Sequence, residues 1–322
     1  METEARPPSW KILLAFSIIY FVWGSTFLAI RIGVHEVPPF LLAAVRFFTA
    51  GLVLYAWLRL KGTPAPSPRE WVSASMLGAL IFLLDYGCLF WAEQRVPSGV
   101  TAVVLATIPV FIALLEITLL RTQKLTVRLG MALAVGILGV AVLMNRSFSL
   151  GEAPIDRAGA LALLVASATW SIATILTRRV PLPASKAMSA AAQMVTGGAM
   201  LFLLAAVSHE FAGFRVQAVS RNAWLALIYL IIAGSIVGFT AYVWLLHYES
   251  PTKVGTYAYV NPVVAVCLGY SFGGESIGAR TLLGTLLVLV SVITITTTKK
   301  VAASTSEQDS EPVAELRAVK VD

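Results

Sequence analysis

The chain has 322 residues, of which 58% are hydrophobic and 13% charged, and a formal net charge of +7. Its mean hydropathy is +0.81. Soluble domains carry about one-quarter charged residues, so a soluble globular protein is excluded and the excess apolar surface needs lipid as its solvent. The basic residues are scattered through short polar stretches instead of clustering on one face, which argues against nucleic acid as a partner and for membrane orientation.

A helix needs about 20 apolar residues to cross the hydrocarbon core. Ten stretches qualify: 11–30, 38–59, 71–92, 98–120, 126–144, 157–177, 186–207, 222–246, 252–272 and 279–298. The first begins at Lys11, is too long for a signal peptide and is followed by no small-residue cleavage site, so it is read as a retained helix. Pro38-Pro39, Pro97, Gly151, Pro181 with Pro183, and Pro251 punctuate the connections, none long enough for a soluble domain. Residues 299–322 are polar and are expected to form a disordered cytoplasmic tail. Cys88 and Cys267 fall inside apolar stretches and are read as small core residues, not a disulfide framework.

Alternate connections differ in charge. One set, with both termini, holds sixteen Lys and Arg residues, and the other holds seven: Arg31, Arg95, Arg146, Arg157, Arg215, Arg221 and Arg280. The positive-inside rule therefore predicts a multi-pass protein of the cell (plasma or inner) membrane with both termini cytoplasmic.

The chain repeats itself. Trp23 and Arg31 in helix 1 recur at the same spacing as Trp170 and Arg178 in helix 6. Trp91 and Pro109 recur as Trp244 and Pro262 at one offset, and Gly130 and Gly284 open helices 5 and 10. Each copy holds five helices, an odd number, so the second copy enters the membrane from the opposite side. The predicted fold class is all-α integral membrane: ten transmembrane helices as two inverted five-helix repeats, over 11–144 and 157–298. Secondary transporters use inverted repeats with the site near the midplane between them.

The run Trp23 to Gly33, then Pro38-Pro39 and Arg46-Phe47, resembles the opening of EamA-type drug/metabolite transporters. Val96 to Val104 with Pro109, and Tyr257 to Val264 followed by Gly274-Glu275, are similar to further motifs of that family. The resemblance spans about residues 10–298. It implies ten helices, two EamA repeats, cytoplasmic termini and a central cavity open alternately to either side, with export of amino acids, other metabolites or drugs. In the family Gly274-Glu275 has a first-half counterpart, and that region here reads Leu120-Arg121-Thr122-Gln123-Lys124.

An ionisable residue within a membrane helix usually faces a partner or a cavity. Arg46, Asp85 and Glu116 are the candidates. At 1.5 Å per residue, Arg46 lies about 12 Å below the outer face, and Asp85, on a helix running outward, lies at a similar depth. An Arg46–Asp85 pair, direct or through water, is therefore expected, either as a fixed clamp or as a cavity charge that binds solute or takes up a proton. Glu116, near the inner end of helix 4, is the poorer partner.

Pro109 and Pro262 lack an N–H and free the carbonyls of Leu105 and Ala258. They are read as a pair of hinges or cavity carbonyls, or else as fixed bends. Trp23, Trp170, Tyr86, Tyr242 and Tyr257, with Tyr20, Phe90, Phe239 and Tyr259, fall in helices that line the cavity in the resembled family. Aromatic walls suit apolar, aromatic or cationic solutes. Trp10, Trp71, Trp91 and Trp224, near helix ends, are assigned to the interfacial belt. Asn261 is a midmembrane polar group that needs a partner, and Gln193 is a weaker candidate of the same kind. Gly234-x-x-x-Gly238 and Ala132-x-x-x-Gly136 are read as helix-packing motifs. Asn145-Arg146-Ser147 matches a glycosylation pattern of low specificity.

No phosphate loop or metal-ligand spacing occurs in the sequence. The expectation is a carrier of a small-molecule solute without cofactor or metal. The competing reading is a membrane-embedded enzyme acting on a lipid or isoprenoid substrate, which needs a polar catalytic cluster near one interface.

Overall fold

Proline starts two of the long helices: Pro39 and Pro68 stand at the first helical position, where a missing N–H costs nothing. The computed structural model describes residues 7–121, 125–144, 155–249 and 254–297, and no strand occurs among them. The helices that carry the architecture are α1 Ser9–Val34, α2 Pro39–Leu60, α3 Pro68–Glu93 and α4 Ser98–Thr118, then α5 Val127–Met144. They continue as α6 Arg157–Leu176, α7 Lys186–Val207 and α8 Arg221–Tyr248, α9 Tyr257–Phe272 and α10 Ala279–Thr297. Seven of them are long and apolar enough to cross a membrane, while α5, α9 and α10 carry shorter apolar stretches. Large apolar side chains such as Leu13, Phe21, Leu60, Val72, Leu203 and Phe272 point outward, as a lipid-solvated surface allows.

Most boundaries fall within a few residues of those expected. α1 runs on to Val34, four residues past its expected end, because nothing before Pro38 interrupts the helix. The start expected for helix 9 at 252, the Asn145 pattern and the C-terminal tail lie outside the described residues. The reading of both cysteines as core residues is corrected: Cys88 is half-buried, and Cys267 is exposed on the outward face of α9.

The helices pair by close approach. α2 packs on α7, α5 on α10 and α4 on α9, while α1 contacts α8 and α9, and α6 contacts α3 and α4. Glycine sets the spacing at the tightest crossings. A Cβ on Gly51 would lie 2.7 Å from the backbone nitrogen of Val195, and one on Gly198 would lie 2.5 Å from that of Phe48. The two small-residue motifs sit in contacts of this kind: Gly234 faces Thr26 and Arg46, Gly238 faces Trp23, and Gly136 faces Ser291.

Three glutamates hold the ends of helices that are distant in sequence. Pro38 and Pro97 precede α2 and α4 and have no side chain that can cap them. Glu210, in the α7–α8 connection, accepts from the N–H of Leu41 at 2.7 Å and of Phe40 at 3.3 Å. Glu275 accepts from the N–H and hydroxyl of Ser98, at 2.7 and 2.6 Å, and from the N–H of Gly99 at 3.1 Å. Gly274, with φ of 64°, makes the left-handed turn that precedes it. Glu36, in the α1–α2 connection, accepts from the N–H and hydroxyl of Ser220 ahead of α8, both at 2.6 Å. All three carboxylates meet the positive end of a helix dipole, and all three lie at the face where α1 ends. Partial burial raises the pKa of Glu210, and its two backbone bonds oppose that shift.

The hydrogen bonds from Ser220 lower the pKa of Glu36 below its ordinary value. A depressed carboxylate adds stability above its unfolded pKa, near 4.3 for glutamate, and loses it as pH falls through the lower folded value. Glu36→Gln is therefore expected to melt below the wild type at pH 7, with the gap closing on acidification to about pH 3. Because Glu36 is exposed, the gap should also shrink in high salt. Melting curves across pH test this; a gap independent of pH would remove the carboxylate from the account.

Candidate functional site: an aromatic-walled cavity

Three stretches of π-helix widen the turns around the centre of the bundle: Ile18–Val22 in α1, Ala79–Tyr86 in α3 and Leu230–Phe239 in α8. Such turns are rare and loosen the regular carbonyl ladder. Side chains from neighbouring helices take up carbonyls there. The indole N–H of Trp23 donates to the carbonyl of Gly234 at 3.1 Å. Three carbonyls surround the Asn261 amide, so its nitrogen faces them and donates to Tyr20 at 2.8 Å, Ile19 at 3.1 Å and Tyr257 at 3.3 Å. Asn261 thereby has the partners that its depth requires.

Trp23 is the hub of a buried aromatic layer. Its ring centroid lies 5.1 Å from Tyr242, 5.4 Å from Tyr257 and 5.9 Å from Trp170. Trp170 lies 5.5 Å from Tyr242 and 6.1 Å from Tyr86. These tilted and edge-on contacts are favoured aromatic geometries.

A cavity of about 60 Å³ opens on one side of this layer. Its wall comprises Trp23, Thr26, Phe27, Ile30, Asp85, Tyr86, Leu89, Ala102, Leu105, Ala106, Ile108, Trp170, Tyr257, Ala258, Asn261 and Pro262. A second, smaller space of about 20 Å³ lies on the other side, lined by Pro109, Ile112, Thr174, Tyr242, Leu246 and Val254 among others. Ile108, Trp170 and Tyr257 face both spaces. The first cavity lies toward the face where α1 ends and α4 begins, and the second toward the face where α4, α6 and α8 end.

Of the residues singled out in the sequence, Asp85, Trp23, Trp170, Tyr86, Tyr257, Asn261 and Pro262 line the first cavity. Tyr242 and Pro109 line the second. Arg46 lies on neither. It is fully buried, donates from Nε to the Ser235 hydroxyl at 2.9 Å, and stacks on the rings of Phe47, Tyr86 and Phe90 at 4.5, 5.2 and 5.8 Å.

The direct Arg46–Asp85 ion pair expected from depth is absent among the described residues. Matching depth did not bring the groups together, because Tyr86 stacks on Arg46 and lines the cavity that Asp85 faces. Asp85 is 4% exposed and has no hydrogen-bond partner among the described residues. Glu116 is half-buried near the end of α4. Gln193 is buried on α7, away from both spaces, and donates to the Ser189 hydroxyl at 3.0 Å.

The two prolines are placed differently. α4 breaks at Ala106 and Thr107, just before Pro109, whereas α9 continues through Pro262. Leu105 and Ala258, whose carbonyls lose their usual partners, both line the first cavity. Sequence reading passed over Glu93, at the end of α3. It is fully buried, and neither carboxylate oxygen has a hydrogen-bond partner. Arg31 donates to the backbone carbonyls of Glu93 and Val96 instead. Only the acidic residue at an apolar helix end hinted at Glu93.

Apolar, lipid-facing helices around a buried cavity make this a polytopic membrane protein. The chain belongs to the EamA-like transporter family, whose signature matches residues 9–145 and again 157–297. It is 35% identical over 285 residues to an uncharacterized inner membrane transporter of Escherichia coli K12, YedA, covering 88% of this chain and 89% of that protein. It is 26% identical to an uncharacterized transporter of Bacillus subtilis, YoaV, covering 86% of this chain and 94% of that protein. It is 27% identical to protein PecM of Dickeya dadantii, covering 85% and 88%. A crystal structure of a protein 22% identical in sequence shares the fold, with a TM-score of 0.60 over 89% of this chain and 97% of the other.

Proposed function

We propose that this protein is a secondary transporter that exports a small metabolite, an amino acid or related compound, or a drug-like solute, by alternating access through the central cavity. The observation that carries the reading is the pair of spaces on opposite sides of one aromatic layer, with Ile108, Trp170 and Tyr257 facing both. A layer that parts toward one side while closing toward the other would pass a solute between them.

Two inverted five-helix repeats would supply such a motion. The double family match supports them. So does the packing: exchanging the halves turns α1–α9 into α6–α4, α3–α6 into α8–α1, and α3–α7 into α8–α2, and all six contacts occur. The π-helical stretches of α3 and α8 also fall at corresponding places. The charge bias supports cytoplasmic termini, and Asp85 is the group on the wall that could couple a proton to the solute.

Access can be tested with single cysteines at Leu89 and Ile112, after Cys88 and Cys267 are replaced by serine. A membrane-impermeant maleimide applied to each face should label Leu89→Cys from the face where α1 ends and Ile112→Cys from the opposite face. A transported solute should shift the two labelling rates in opposite directions. Labelling of both sites from one face under every condition would reject alternating access.

A further inference from the structure

We propose that the solute recognised in the first cavity is an organic monocation, an amine or ammonium on an aromatic or apolar body, that carries no carboxylate. This rests on the transporter reading of the same cavity and narrows it.

The argument is the hydrogen-bonding inventory of the wall. Three of its side-chain donors are already engaged inside the protein, and a fourth, the Trp170 indole N–H, faces the Tyr242 and Tyr257 hydroxyls. The Trp23 indole N–H is held by the Gly234 carbonyl. The Asn261 nitrogen is held by carbonyls of α1 and α9. The Thr26 hydroxyl donates to the Trp23 carbonyl at 2.6 Å. The wall is left rich in acceptors. Asp85 presents a carboxylate with no hydrogen-bond partner among the described residues, although it is 4% exposed. Leu105 and Ala258 contribute carbonyls to which Pro109 and Pro262 have no N–H to give. The tyrosine hydroxyls can act either way.

Charge points the same way. No Lys, Arg or His lines this cavity. Arg46 is fully buried, bonded to Ser235 and stacked against Tyr86. A carboxylate on the solute would find no cation on the wall and would face Asp85. An ammonium would meet the one carboxylate and several aromatic faces, which attract cations electrostatically. It would also relieve the cost of leaving a buried carboxylate unpaired. A zwitterionic amino acid satisfies half of this site and opposes the rest.

Three probes with one aromatic body separate the possibilities: 2-phenylethylamine, 2-phenylethanol and phenylalanine. Binding to the purified full-length protein in detergent is measured by calorimetry or tryptophan fluorescence. The amine is expected to bind at least tenfold more tightly than the alcohol or the amino acid. Asp85→Asn should abolish the preference of amine over alcohol, and Asp85→Glu should retain it, with melting curves confirming that both variants fold. The proposal is overturned if phenylalanine binds as tightly as the amine, if the amine does not bind, or if Asp85→Asn keeps the preference. Binding needs no flux, so the two readings fail separately. Amine-selective binding without flux in liposomes rejects the transporter and keeps the ligand class. Saturable flux of phenylalanine without amine preference does the reverse.

Discussion

Gly198→Leu is expected to abolish recovery of folded protein. A Cβ on Gly198 alone would lie 2.5 Å from the nitrogen and 2.7 Å from the Cα of Phe48, and the matching Cβ on Gly51 would lie 2.7 Å from the nitrogen of Val195. These neighbours are backbone atoms, so no rotamer change relieves the overlap and α2 must move off α7. Overpacking that side chains can absorb costs about 1–3 kcal/mol. A forced helix separation should exceed about 4 kcal/mol, a large part of the roughly 5–15 kcal/mol that holds a typical domain. Gly87→Ala is the control, since its nearest new neighbours are side-chain carbons of Leu201 and Phe40 at 3.7 and 3.9 Å. The measurement is the monodisperse fraction after detergent extraction, with its melting temperature. Wild-type behaviour of Gly198→Leu would show that α2 and α7 are not held this closely.

Trp23→Ala is the second large effect. The residue is 6% exposed, contacts Trp170, Tyr242 and Tyr257, and fixes the Gly234 carbonyl. Its removal should destabilise the protein by about 3–5 kcal/mol, the range for large buried aromatics. Trp23→Phe keeps most of the ring contact and loses the hydrogen bond, so it should cost about 1 kcal/mol from that bond plus a modest packing loss. Thermal melts of the two variants separate packing from hydrogen bonding. Equal losses would place the weight on the Gly234 bond and remove the aromatic hub. Gly238 belongs to the same seat, because a Cβ there would come within 2.5 Å of the Trp23 indole nitrogen.

Much of this was legible in the chain because lipid imposes a simple rule. Every spanning segment must be apolar and must close its own backbone hydrogen bonds, so stretches such as 186–207 and 157–177 could be read almost to the residue. The aromatic layer was legible in part: Trp23 and Trp170 stood out by their common spacing to an arginine, and they meet at 5.9 Å. The freed carbonyls at Leu105 and Ala258 followed from proline chemistry alone, and both residues face the cavity.

Depth along a helix is a one-dimensional quantity, and helix rotation is not contained in it. Arg46 and Asp85 were expected at a common depth, yet Tyr86 lies against the guanidinium and Asp85 on the cavity wall, with the widened turns of α3 between regular helix on either side. For the same reason Cys267 turned outward and the buried carboxylate of Glu93 went unnoticed. The sequence by itself determined the all-helical membrane class, the apolar segments, their punctuation by proline and the aromatic character of the centre. Only the tertiary structure decided which donors were already engaged, and so left an acceptor-rich cavity around Asp85. The reason is physical: hydropathy and spacing record what each segment must do in lipid, whereas a hydrogen bond between α1 and α8 or α9 exists only once the helices are packed and rotated against one another.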